Sequence, residues 1–177
     1  AAEMRDPTLI FRRPPRSVPV ERSPARGVAF RPHDGTCEDL RFESPFVPIH
    51  PCVRDEYMRH RANRTAHARY WRHEGGPRPT VMAIHGYFAD AYWFNEWYFD
   101  LRRYYEMGCD VLLFTLPFHG RRRERLAPFS GHGFFAGGIA RINEAFAQAI
   151  FDLRIFVDYL LEEQRAPSVG ITGVSLG

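Results

Sequence analysis

Three short runs in this chain are almost wholly apolar: Thr80-Val81-Met82-Ala83-Ile84, Asp110-Val111-Leu112-Leu113-Phe114-Thr115-Leu116 and Ser168-Val169-Gly170-Ile171-Thr172. A strand without polar alternation is covered on both faces, so each run belongs inside a sheet. Between the first two, Phe94, Trp97, Tyr98, Leu101, Tyr104 and Tyr105 recur at spacings of three and four, the stripe of one helix that Gly108 can end. Between the second and third, a helix is predicted over 139–164, with Ile142, Ala145, Phe146, Ala149, Ile150, Leu153, Phe156, Val157, Leu160 and Leu161 on one side and Pro167 beyond its end. Strand, helix, strand, helix, strand implies right-handed crossovers. The expected fold class is therefore α/β, a mainly parallel sheet with helices on both faces.

Residues 1–51 read differently. They hold nine of the 14 prolines, a density that prevents long helices and interior strands. The expected organisation is a Pro/Arg-rich extended arm over 1–51, with a short strand at 40–47, followed by a catalytic domain over 52–177. Within the latter, 54–64 is polar and fits a turn of helix, and 65–72 alternates as a strand before the turn Gly75-Gly76-Pro77.

With 45% hydrophobic and 25% charged residues the chain has the composition of a folded protein. Its longest apolar stretch near the C-terminus is broken by Asp152, Arg154 and Asp158, so no membrane span is expected. All 24 basic residues are Arg. Residues 1–27 carry six of them against Glu3, Asp6 and Glu21, and beyond residue 27 the charges cancel, which argues against a nucleic-acid partner. Such binding through the arm would show as steep salt dependence. Cys37, Cys52 and Cys109 have neither the number nor the spacing of a disulfide framework or a zinc site. No metal or cofactor is expected, and the reduced thiols fit a cytoplasmic protein. The chain begins Ala1-Ala2-Glu3 without an initiator Met and stops at Gly177, so it is read as a piece of a longer protein.

The residues that carry chemistry follow the apolar strands. Gly173-Val174-Ser175-Leu176-Gly177 is a G-x-S-x-G set directly after a strand, the context a nucleophilic serine on a strained strand-to-helix turn requires. Gly173 and Gly177 leave room where a side chain would meet backbone, and a helix starting there would offer its N-terminus to developing negative charge. At the end of the first apolar strand stands His85-Gly86-Tyr87. An oxyanion needs two converging N–H donors; the backbone N–H of Leu176 and of Tyr87 are the candidates, with His85 orienting the loop.

With these residues in place, the chain resembles the α/β-hydrolase superfamily. Three landmarks stand in family order: His85-Gly86, the segment from Gly108 through Phe118-His119-Gly120, and the elbow around Ser175. The resemblance covers roughly 65–177 and implies that the His-Gly strand lies between the other two, bringing Tyr87 next to Ser175. It also implies a serine hydrolase acting on carboxylic esters or thioesters through an acyl-enzyme. Leu116-Pro117-Phe118 departs from the family, many of whose members carry an Asp there. The family's triad acid and histidine follow the nucleophile, so both are expected beyond Gly177 and the isolated fragment is expected to be inactive. A peptidase or amidase of the same fold, and a non-catalytic binding protein of that fold, are the alternatives.

The remaining candidates have milder readings. Arg121, Arg122, Arg123 and Arg125 fit a solvated loop better than a steering patch for an anionic substrate. His119 and His132 are expected to make local loop hydrogen bonds. Tyr87, Phe88, Tyr92, Trp93, Phe134 and Phe135 are candidates for an acyl pocket, though core packing is the expectation for most of them. The expected partner is a small-molecule ester or thioester.

Overall fold

The structure, a computed structural model, describes residues 10–89 and 91–177. The three apolar runs become β4 (Thr80–Ile84), β5 (Asp110–Thr115) and β6 (Val169–Gly173), with β4 parallel to both of its neighbours. They follow β1 (Glu21–Pro24), β2 (Gly35–Glu43) and β3 (Thr65–His73) in one six-stranded sheet of order β1-β2-β3-β5-β4-β6. Every residue of β5 is buried, as a run without alternation requires.

The sheet is mixed, not mainly parallel. β1 with β2, β2 with β3 and β3 with β5 all pair antiparallel. The strand expected at 40–47 is β2, which starts at Gly35 and lies fully within the sheet. Its charged residues concealed it: Glu38 pairs with Arg22 at 2.6 Å, and Glu21 of β1 with Arg41 at 2.6 Å. An antiparallel edge tolerates such solvated cross-strand ion pairs, whereas a parallel interior does not. Pro24 ends β1 on the outer edge, where a missing N–H leaves no ladder bond unmade.

Among the described residues, helices α1 (Pro51–Met58), α2 (Tyr92–Tyr98), α3 (Leu101–Glu106), α4 (His132–Phe135) and α5 (Gly138–Asp158) pack around this sheet. The larger core joins Leu40, Phe42, Ala68, Met82 and Phe114 of the sheet to Phe151, Ile155 and Phe156 of α5. On the opposite face Trp71, Ala83, Val111 and Leu113 meet Leu101 and Tyr105 of α3.

The expected single helix from Phe94 to Tyr105 is two helices. Asp100 takes a left-handed φ of 49° and breaks it, so that α3 buries Leu101 and Tyr105 while α2 leaves Trp93, Phe94, Trp97 and Tyr98 exposed. The long helix is where expected and buries Ala145, Ala149 and Phe156, but its buried face is wider than the apolar stripe. Phe146 and Leu161, expected on its packed side, are 38% and 44% exposed. Arg141, Glu144, Gln148 and Asp152, spaced three and four apart, are also buried. Each is matched by residues 44–63 or by the loop after β5. Asp152 accepts from Ser44 Oγ at 2.5 Å and Arg122 Nη2 at 2.7 Å. Gln148 Oε1 accepts from Tyr57 and Asn63, each at 2.7 Å. Glu144 Oε1 accepts the N–H of Ile49 at 3.0 Å and of His50 at 2.7 Å. Beyond Asp158 the helix widens into a π turn, Tyr159–Glu163.

Candidate active site

The carboxyl ends of β4 and β6 lie side by side, and the residues that follow them meet. Ser175 stands two residues past β6 with φ of 54°, the left-handed region that a residue with a Cβ occupies at a cost of about 1–2 kcal/mol. Its turn is closed by Gly177 N–H donating to Val174 O at 3.0 Å, and tied to β4 by Val174 N–H donating to Ile84 O at 3.3 Å. The flanking glycines are required by contact. A Cβ on Gly173 would run into the carbonyl of Gly177, and one on Gly177 into the backbone of Ile84. A Cβ on Gly86 would lie 3.2 Å from Val174 O and 3.4 Å from Ser175 Cβ, so the His-Gly turn abuts the serine turn directly. The N–H groups of Tyr87 and Leu176 donate to no acceptor among the described residues.

His85 is buried, and both its nitrogens are engaged. Nδ1–H donates to Gly86 O at 2.9 Å and Nε2 accepts from Leu116 N–H at 3.1 Å, which fixes the neutral tautomer and ties the β4 turn to the end of β5. His119, also buried, donates Nδ1–H to Pro117 O at 2.8 Å, and the two rings are 5.0 Å apart. Burial disfavours the imidazolium and pushes each pKa down to about 4. Ser175 bonds to neither ring, nor to any carboxylate among the described residues.

These histidines carry a pH prediction. An unfolded chain protonates them near pH 6.5 while the folded one resists until about 4. Their contribution is present above pH 6.5 and lost as the pH falls towards 4, by about 3 kcal/mol for each group when the shift is converted. Urea unfolding of wild type and His85→Asn from pH 7 to 4 should show the smaller acid loss in the variant; equal slopes would rule His85 out as a source.

A cleft of about 610 Å³ opens above Ser175, with Tyr87, Phe88, Trp93, Phe94 and Tyr98 as its aromatic wall and Asn95 among them. Of the aromatics expected to line a pocket, Tyr87, Phe88 and Trp93 do so. Phe135 backs the wall, its ring 4.9 Å from that of Tyr87. Phe134 is core. Tyr92 turns away, its hydroxyl 2.8 Å from Thr115 Oγ1 and its ring under the Arg69 guanidinium. Phe94, Asn95 and Tyr98 are lining residues that the sequence reading missed. Their spacing marks a helix face, and nothing in spacing tells a face that meets core from one that meets a cleft.

The arginine loop needs one correction. Arg122 is not solvated: it is fully buried, donating to Asp152 at 2.7 Å, to Asn63 O at 2.9 Å and to Thr115 O at 3.3 Å. Arg121 pairs with Asp39 at 2.7 Å. Among the described residues no three His, Cys, Asp or Glu side chains gather to hold a metal, and no helix is long and apolar enough to cross a membrane.

No known protein family's profile matches the chain. The uncharacterized proteins Rv2627c of Mycobacterium tuberculosis strain H37Rv and MT2702 of strain CDC 1551 are each 27% identical to it over 143 residues, 77% of this chain and 33% of theirs. Acetyl xylan esterase 1 from Thermoanaerobacterium sp. JW/SL YS485 superposes with a TM-score of 0.58 at 17% identity, covering 91% of this chain and 46% of that one. The acetyl xylan esterase of Paenibacillus sp. R4 gives 0.56 at 13% identity over 94% and 48%. A cold-adapted esterase from an Arctic intertidal metagenomic library gives 0.50 at 19% over 85% and 55%. The fold is shared with these esterases, and the chain spans about half the length of the solved structures and a third of the curated relatives.

Proposed function

We propose that this chain carries the nucleophile and oxyanion hole of a serine hydrolase of the α/β-hydrolase fold, cleaving carboxylic esters or thioesters through an acyl-enzyme. The observation that carries the reading is Ser175 itself, a non-glycine residue held at a φ of 54° between two glycines that cannot be replaced, at the tip of a parallel strand. Backbone strain of this kind persists where function needs a side chain in that place.

In this mechanism Ser175 Oγ attacks the carbonyl carbon as its proton passes to a base. The carbonyl oxygen gains the negative charge and accepts from the N–H groups of Leu176 and Tyr87, the two free donors beside it. The C–O or C–S bond then breaks and the leaving group departs with the proton from the base. A water, deprotonated by the same base, attacks the acyl-serine; the acid is released and Oγ regains its proton. His85 is a positioning residue here, since both its nitrogens are spent on holding Gly86 and Leu116. The base and its acid partner belong, in this proposal, to the full-length protein beyond Gly177.

A fluorophosphonate probe should label the full-length protein at Ser175, read by mass spectrometry of the tryptic peptide, and Ser175→Ala should not be labelled. Labelling that persists in the variant would dismiss Ser175 as the nucleophile. No labelling of folded wild type would favour a binding protein instead.

A further inference from the structure

The wall of the cleft is unlike the rest of the surface. Trp93, Phe94 and Tyr98 come from one helix, α2, and Phe88 from the turn after β4, so two elements present aromatic rings to the space above one serine hydroxyl. Trp93 is 59% exposed and Phe88 61%, although Phe88 packs one side of its ring on Tyr87 and Phe129 and Trp93 meets Phe94 edge-on, so a large apolar area still faces the cleft. Among the described lining residues none is charged, and the polar side-chain groups are Ser175, the Tyr87 and Tyr98 hydroxyls, the Trp93 indole N–H and Asn95. Asn95 spends an amide hydrogen on Ala91 O at 3.0 Å, inside its own helix. Arg121 and Arg122 of the loop after β5 are committed elsewhere, to Asp39 and to Asp152.

From this lining we infer that the acyl group cleaved at Ser175 is neutral, apolar and longer than acetyl, seated along the α2 aromatics; the inference rests on the nucleophile reading above. An acetyl group would leave most of a 610 Å³ cleft as water against rings. Each further methylene fully buried there should raise kcat/KM by up to about fourfold. A carboxylate at the far end of the acyl chain would lose water to a wall whose described residues offer no cation to meet it. A sugar has more hydroxyls than the two tyrosine hydroxyls, the Trp93 N–H and Asn95 of the described lining can bond, so part of its stripped hydration would go unreplaced.

The full-length protein should be given p-nitrophenyl acetate, pentanoate and hexanoate, the mono-p-nitrophenyl ester of succinic acid, and acetylated xylose. The leaving group is constant in the first four, so kcat/KM reports the acyl group. Hexanoate should exceed acetate by roughly 10–100-fold, and pentanoate should exceed the succinate monoester by roughly 100-fold or more. Trp93→Ala, a change at an exposed position, should shrink the hexanoate-to-acetate ratio. As a readout free of turnover, a long-chain alkyl fluorophosphonate should label Ser175 faster than a short-chain one. If Ser175 is labelled but acetate, the succinate ester or acetylated xylose is the best substrate, the acyl assignment is overturned and the nucleophile stands. If Ser175 is not labelled and no ester is cleaved, both are overturned.

Discussion

Replacing Ser175 by Ala in the full-length protein should lower kcat for ester hydrolysis by about 10⁵–10⁶-fold, with KM little changed, since the hydroxyl forms its bond only after substrate has bound. A residue of catalysis about 10³–10⁴-fold above water should remain, because the Tyr87 and Leu176 amides are backbone and survive the substitution. Ser175→Gly offers a second measurement that a merely structural serine would not predict in this combination. Gly has no Cβ to clash at a φ of 54°. The Gly variant should therefore be more stable than the Ala variant by about 1 kcal/mol, and equally inactive. An Ala variant that keeps a tenth of wild-type kcat, or a Gly variant less stable than the Ala variant, would contradict the assignment.

Asp152→Ala should be the most damaging single change to the fold, costing about 3–5 kcal/mol in urea unfolding. Its carboxylate and the Arg122 guanidinium are both fully buried, 2.7 Å apart. Removing the acid leaves a guanidinium without water or counter-ion, and it also orphans Ser44 Oγ. The pair is costly to break but need not be stabilising in itself. The double variant Arg122→Met with Asp152→Leu should recover most of the loss, and a double variant no better than the single one would show that shape, and not charge, governs the site. Burial opposes the Asp152 carboxylate while Arg122 supports it, and the balance lies above the usual carboxylate range.

The parts of this molecule visible in its sequence are those where one residue type meets one geometric demand. The interior strands β4, β5 and β6 show as apolar runs because both faces are covered. Gly173 and Gly177 show because backbone passes where a Cβ would be. The placing of β4 between β5 and β6, which brings the residues after His85 to Ser175, came from the family resemblance and not from residue pattern. What was hidden used polar residues for packing. β2 carries Glu38 and Asp39, which alternation scores as solvent, yet Asp39 is bound by the buried Arg69 at 2.8 Å and is itself buried. Helix α5 buries Ala145, Ala149 and Phe156 as expected, but its buried face is wider than the apolar stripe because it also holds Arg141, Glu144, Gln148 and Asp152; hydrophobic periodicity cannot recognise a face satisfied by hydrogen bonds to residues 44–63. The break at Asp100 was hidden because the aromatic spacing runs straight through it.

The polar seam under α5 also sets an order of events during synthesis. Ser44 and Asp152 are 108 positions apart, and Asn63 and Gln148 are 85 apart. At about 5–20 residues per second, the ribosome delivers the helix roughly 5–20 s after the segment that must receive it. Throughout that interval Tyr57, Asn63 and the Ile49 and His50 amides stay hydrated, and nothing local can replace their partners. The nascent chain therefore waits with the receiving groups for α5 unpartnered until the helix arrives, the interval in which a chaperone would have most to protect.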